Sequence, residues 1–422
     1  MPARLNPDLG DAATLERLFA PAAGESAIGI AVSGGADSLA LMLLAHRWAS
    51  TTGRPRLVVY SVDHRLRPEA AAEVSMVLDV ARRLGLDSRG LAWTTTKPDS
   101  GLQEAARSAR YRLIAEAMAE DGVGMLLTAH HRSDQAETVL MRLAHGSGIE
   151  GLKGMTALSQ VEGVRVFRPF LDVDRGALRR VVTDAGITPA EDPSNIDSSY
   201  ERVRWRQLTP QLSELGLDAD TLTAFAERMA ETDKVVAQLA EAAFSKLVQL
   251  DGFGAARIEH PGFAALGSAV GTRVLGRVLN IVGGRQKPRV LGPVERLRTQ
   301  IAERSLPRAA TLCGCVVRLK DETVAIAREP GRSLPPDALV APGCELVWDE
   351  RFRIVNGTDL GLTAGVADYL PRHRLEQVLG FRVTAPAEAL RTAPIVRDAE
   401  GAVVSLGGWS FDERLKVQLL ID

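Results

Sequence analysis

No stretch of this chain of 422 residues is apolar for long enough to cross a bilayer. The longest uncharged apolar run, Leu39 to Ala45, falls far short of the roughly 20 residues that a spanning helix needs. The opening MPARLNPDLGDAATLERLF lacks the apolar core of a secretory signal. These absences point to a cytoplasmic protein without a membrane partner. Cysteine is scarce: Cys313, Cys315 and Cys344 all lie in the C-terminal part, too few and too unevenly placed for a disulfide framework or a zinc knuckle. They read as structural thiols. An excess of one charge is lacking too, since 51 Lys and Arg stand against 53 Asp and Glu, so net charge alone does not suggest a nucleic-acid binder. With 45% apolar and 25% charged residues the chain has the make-up of a globular protein with room for two or three domains.

Charge is unevenly spread, however. Arg273, Arg277, Arg285, Lys287, Arg289, Arg296, Arg298, Arg304 and Arg308 are opposed in their stretch only by Glu295 and Glu303. Such a stretch reads as a phosphate-contacting surface, with Arg296 and Arg298 as candidate RNA contacts, or as solvated helix faces.

The stretch from Ile28 to Ala45, IGIAVSGGADSLALMLLA, predicts a strand, a glycine turn and a long apolar helix. Glycines let the backbone bend with positive φ, and the free N–H groups of the following helix favour an anion. Ser33 and Ser38 add hydroxyls, and Asp37 a carboxylate suited to Mg²⁺ beside phosphates. The loop has no lysine. It therefore cannot be the GxxxxGK[ST] loop whose lysine reaches the β and γ phosphates, and a different phosphate chemistry is implied.

From Ile28 to about Ala185 short apolar strands alternate with amphipathic helices, which argues an α/β fold with a doubly wound, mainly parallel sheet. Ligands bind outside the carboxyl ends of such strands. Ser33 to Ser38, Asp63-His64-Arg65 and His130-His131 fall at those ends. A domain over 1–215 is expected to be followed by a helical, basic domain over 216–328, a proline-rich linker over 329–343, and a small α+β domain over 344–422.

Asp63 can take a metal contact, take an adenosine hydroxyl or simply end its strand. Arg107 and Arg110, three apart on one helix face with Glu104 beneath, can bind phosphate or form intrahelical pairs. Asp134 and Glu137, one turn apart at a helix start, can serve a substrate or cap the helix. Adjacent His130 and His131 face different ways, and no third ligand is spaced to complete a zinc site.

The pieces SGGADS (33–38), VDHRLR (62–67), GLQEAARSARY (101–111), AHHRSDQAET (129–138), GSGIEGLKGM (146–155), RPFL (168–171), EDPSN (191–195) and RVRWR (202–206), in this order, resemble the bacterial tRNA(Ile)-lysidine synthetases of the PP-loop ATP pyrophosphatase superfamily. The resemblance implies a ligase that joins lysine to C2 of cytidine 34 in the CAU anticodon of tRNA(Ile) through an adenylated intermediate, releasing AMP and pyrophosphate. ATP, Mg²⁺, L-lysine and tRNA(Ile) are the implied partners, and a homodimer is allowed. It further implies that Asp37, Asp134 and Arg107 act on the reacting atoms, and that Ser33, Gly34, Gly35, Ala36, Asp37, Ser38 and Asp63 bind ATP. Asp37 holds the metal, Asp134 and Glu137 the lysine, and Arg110, Arg202, Arg206, Arg296 and Arg298 the tRNA. Ser133, His145 and Val203 depart from the family pattern, which leaves Asp134 as the acidic site residue and a phosphate role unfilled at 145. Two other classes stay open: a sulfur-inserting PP-loop tRNA enzyme, disfavoured because no cysteine precedes Cys313, and a nucleotide- or RNA-binding module without catalysis.

Overall fold

The computed structural model describes residues 7–52, 55–98, 100–190, 197–284, 291–331, 334–367 and 370–421, which divide into two compact units at Glu231/Thr232. No described helix is long and apolar enough to cross a membrane. The first unit runs α1 (Ala12–Phe19), β1 (Ala27–Ala31), α2 (Ala36–Thr52), β2 (Arg56–Asp63), α3 (Ala70–Arg83), β3 (Asp87–Ala92), α4 (Leu102–Asp121), β4 (Met125–Leu127), α5 (Arg132–Ala144), α6 (Ile149–Leu152), β5 (Leu158–Val161), β6 (Val164–Phe167), α7 (Arg175–Asp184), α8 (Glu201–Glu214) and the start of α9 (Ala219–Leu247).

Its sheet has the order β3-β2-β1-β4-β6-β5, parallel except for β5. β1 is central because AIGIA is almost wholly buried and pairs on both sides, Ile28 with Leu57 and with Met125. A side chain at Gly29 would meet the Tyr60 ring at 2.8 Å, so only glycine lets that ring lie across the strand. Leu39, Met42 and Leu44 of α2, Val77 and Val80 of α3, and Leu178 and Val182 of α7 fill one face of the sheet. Tyr111, Ile114 and Met118 of α4 fill the other, against Tyr60 and Leu126. The sheet is thus wound on both faces, as the strand–helix alternation predicts. Each of these aliphatic side chains contributes about 1.5–3 kcal/mol by its burial. Val139 and Leu140 of α5 pack with Leu222 and Ala226 at the start of α9 in a separate cluster.

That packing moves the boundary from the expected 215/216 into α9, because its first turns belong to the core of the first unit. In the second unit the expected helices are present, Ser268–Gly283 and Leu291–Ala302 beside the end of α9, but they pack on an antiparallel sheet. Its strands, in spatial order, are Val248–Leu250, Ala256–Glu259, Thr323–Arg328, Cys315–Lys320 and Ala310–Leu312. Strands this short show too few alternations to stand out beside alanine-rich helices. The expected linker includes a strand, Ala338–Val340, paired with Leu362–Val366. Phe253, Ala255 and Ala327 share one core with Leu375, Val383, Ile395 and Leu406, so the stretches expected as two domains form one unit.

Candidate active site

The carboxyl ends of β1, β2, β4 and β6 gather three groups of polar side chains. The first is the glycine loop. Gly34 takes φ +88°, a conformation L side chains rarely adopt, and its carbonyl accepts the Ala190 N–H at 2.9 Å. A side chain at Gly35 would find only Ser33 Oγ within 4 Å, at 3.8 Å, so this part of the loop opens outward. Ser38 Oγ donates to the Gly35 carbonyl at 2.9 Å and accepts the Ser33 N–H at 3.2 Å, which ties the bend to the first turn of α2. The N–H groups of that turn have no partner within the helix and point at the opening. Asp63, at the end of β2, accepts the Arg65 N–H at 2.7 Å through one oxygen.

The second group surrounds Asp37, in the first turn of α2. His131, only 2% exposed, caps α5. Its Nδ1 accepts the Asp134 backbone N–H at 3.4 Å, while the His131 backbone N–H donates to Asp134 Oδ2 at 3.0 Å. With Nδ1 an acceptor, Nε2 carries the proton. Nε2 lies 3.5 Å from Asp37 Oδ2 and 3.4 Å from Asp134 Oδ2, so one imidazole N–H faces the loop carboxylate and the α5 carboxylate together. Arg175 Nε is also 3.5 Å from Asp37 Oδ2. Asp37 Oδ1 is buried without a partner. A buried carboxylate oxygen left without a donor suits Mg²⁺, which binds through one or two carboxylates together with phosphates. No cluster of three or more acidic, histidine or cysteine groups fit for a metal occurs among the described residues.

Asp134 and Glu137 are clasped by α8. Arg202 donates from Nη2 to Asp134 Oδ1 and from Nε to Glu137 Oε2, both at 2.8 Å, and Arg206 donates from Nε to Glu137 Oε1 at 2.8 Å. Burial works against ionisation of Asp134, but His131, Arg202 and His130 outweigh it and hold the carboxyl below its usual range. Arg202 and Arg206, expected as RNA contacts, are engaged by this acidic pair.

A third, cationic group lies at the ends of β4 and β6. Arg107 and Arg110 both stand over the Tyr111 ring, at 5.2 and 5.4 Å. No ion pair joins Arg107 to Glu104 among the described residues. Arg168 is buried and donates to the Thr156 carbonyl and Ser159 Oγ. Burial first, and then Arg107, lower the pKa of Arg110; burial also lowers that of Arg168, with Arg107 and Arg142 adding to it. Burial, aided by Arg168, Arg202 and Arg110, pushes His130 down to about 3, so it is neutral and a poor proton acceptor at neutral pH. Cations crowded together, with no ion pair to a carboxylate among the described residues, call for an anion.

Sequence reasoning missed Arg168 and Arg175 as candidate site residues, although the RPFL piece begins with Arg168; no local signal marks Arg175. It also read the basic stretch too simply. Arg273 pairs with Asp233, Arg277 with Glu241, and Arg304 with Glu322, while Arg298 donates to the Leu266 carbonyl at 2.5 Å. Arg296 and Arg308 are exposed. Arg285, Lys287, Arg289 and the EDPSN piece lie outside the described residues. Of the departures, Val203 is buried and His145 Nε2 is 2.9 Å from Glu201 Oε1.

Residues 8–212 match the family model of the PP-loop domain. The chain is 40% identical over 342 residues to the tRNA(Ile)-lysidine synthase of Bradyrhizobium sp. (strain BTAi1), covering 76% of this chain and 95% of that protein. It is 43% identical over 331 residues to that of Rhodopseudomonas palustris, covering 75% and 94%, and 35% identical over 353 residues to that of Hyphomonas neptunium, covering 82% and 92%.

Proposed function

This chain belongs to the tRNA(Ile)-lysidine synthase family and carries out ATP-dependent lysidine formation in tRNA(Ile), and on that premise we propose how its residues divide the reaction. In a first step the C2 oxygen of cytidine 34 attacks the α-phosphorus of ATP, an oxygen–phosphorus bond forms, and pyrophosphate leaves. In a second the lysine ε-amine attacks C2, the carbon–oxygen bond breaks, AMP leaves, and the proton lost by the amine passes to solvent. To reach C2 the cytosine must leave its stack in the anticodon loop.

Ser33, Gly34, Gly35, Ala36 and Ser38 hold the pyrophosphate with backbone N–H and hydroxyl groups. Asp37 offers its unpartnered Oδ1 to Mg²⁺, which when bound spreads the charge of the departing pyrophosphate. Asp63 offers its second oxygen to the nucleoside. Arg107 neutralises the reacting phosphate, while Arg110 takes the RNA backbone. Asp134 and Glu137 receive the lysine ammonium, and Arg202 and Arg206 orient them and reach RNA phosphate with their remaining N–H groups. ATP, lysine and tRNA as substrates place the enzyme in the cytoplasm.

One observation carries this reading: His131 Nε2 is within 3.5 Å of both Asp37 and Asp134. A nucleotide on the loop and an amine at α5 then meet at one imidazole. The test is conversion of labelled ATP to AMP and pyrophosphate, expected only with tRNA bearing a CAU anticodon, and incorporation of labelled lysine into that tRNA. ATP cleavage indifferent to tRNA, or a product without lysine, would overturn it.

The second unit supplies a further expectation. Arg296→Gln should weaken tRNA binding and reduce the log–log salt slope by about one unit, as for one phosphate contact. Arg298→Gln should leave the slope unchanged and lower the melting temperature by several degrees, since it breaks a charged hydrogen bond worth roughly 1.5–3 kcal/mol. Salt titrations and thermal melts of both variants separate the roles.

A further inference from the structure

In the second unit an aromatic ring is held in solvent on a loop that is otherwise tightly stitched. Phe381 is 42% exposed and follows Gly380, which ends the helix Arg372–Leu379 in a left-handed conformation. Its inner side meets Trp409, with ring centroids 5.3 Å apart. Trp409 meets Phe253 at 4.7 Å, and a side chain at Gly252 would lie 2.6 Å from the indole, so the backbone there packs flat against it. The three rings form a pile built inward from Phe381. Arg372 donates to the carbonyls of Val383 and Ala385, Glu376 accepts the Val383 N–H at 2.9 Å, and Arg257 donates to the Thr384 carbonyl and hydroxyl. The loop therefore does not fold its ring away.

The ring, backed by Trp409, offers its outer face to a ligand that it can cover. Its surroundings choose one by charge. Arg382, the next residue of the loop, is exposed, while Glu376 of the preceding helix is turned to the Val383 amide. A π-face beside an arginine suits a nucleobase with its phosphate: stacking accepts any base, and arginine takes the backbone. We propose that Phe381, backed by Trp409, is a stacking platform for an unpaired nucleotide of the RNA substrate, with Arg382 on an adjoining phosphate. This rests on the tRNA reading above and adds a contact far along the chain from the residues of the candidate active site.

The test uses the full chain with two probes, a fluorescein-labelled single-stranded RNA hexanucleotide and a tRNA(Ile) transcript. Phe381→Ala is expected to weaken both about 10- to 100-fold, as for the loss of one stacked base, and Phe381→Trp to restore binding. Arg382→Gln should lower the salt slope by about one unit. A melting temperature close to that of the parent protein would show that the alanine variant is folded, as expected for an exposed ring. Equal affinity of Phe381→Ala and the parent protein for both probes would overturn the platform. Loss of self-association in sedimentation with RNA affinity intact would overturn it too, by assigning Phe381 and the exposed Val378 to a protein contact. Hexanucleotide binding that depends on Phe381, in a protein that leaves tRNA(Ile) unmodified, would keep the platform and remove the proposed reaction.

Discussion

Asp37→Asn should lower the rate of tRNA adenylation by about 10³-fold, because several kcal/mol of stabilisation of the leaving pyrophosphate pass through this carboxylate. The substitution keeps the shape of the side chain, removes its charge and exchanges one acceptor oxygen for an N–H₂ donor. Its Oδ2 contacts, to His131 and Arg175, are both long at 3.5 Å, so the loss to stability is small and the melting temperature should shift by only a few degrees. Affinity for tRNA should change less than about threefold, since the role proposed for Asp37 is toward the nucleotide rather than the RNA. Pyrophosphate release measured at saturating tRNA, alongside tRNA binding and a melt, checks all three. An Asp37→Asn protein that adenylates tRNA at the parental rate would remove the loop from the chemistry.

The second expected result separates lysine from ATP. Glu137→Gln should raise the KM for lysine about 10- to 100-fold while moving that for ATP by less than about threefold, since a charge-assisted contact to an ammonium is worth roughly 1.5–3 kcal/mol. Adenylated tRNA should then accumulate. Glu137 is 3% exposed and accepts from both Arg202 and Arg206, so the amide also leaves a guanidinium facing an N–H₂ group. A fall of several degrees in melting temperature is expected on that account. A purely architectural role predicts the fall in stability with equal losses for every substrate. Steady-state kinetics with lysine and ATP varied separately decides, and an unaltered lysine KM in a destabilised variant would leave Glu137 only as the partner of α8.

What could be read from the chain without coordinates was what is local. The glycine loop, its strand and its helix occupy one continuous stretch, and each of their signals acts within a few residues. The α5 start was legible for the same reason, since Asp134 lies three residues after its cap. The clasp of Glu137 by Arg202 and Arg206 was not, because its partners come from a helix some 65 positions later and no periodicity relates them. Nor was the internal pairing of the basic stretch. A sequence count registers Arg273 and Arg277 as two positive charges, whereas Asp233 and Glu241 on the neighbouring helix cancel both.

The central place of β1 has a consequence for synthesis. β1 and β2 leave the ribosome close together, but the second flank of β1 comes from β4, whose Met125 pairs with Ile28 from far later in the chain. Contacts of such long separation form late, after the closure entropy of the intervening chain has been met. A nascent chain that has emitted the glycine loop therefore holds it on a strand with one open edge, a surface prone to mispairing with other chains. The strand that carries the loop is flanked on both sides only when β4 has emerged, so nucleotide binding by this chain is expected to await at least the middle of the first unit.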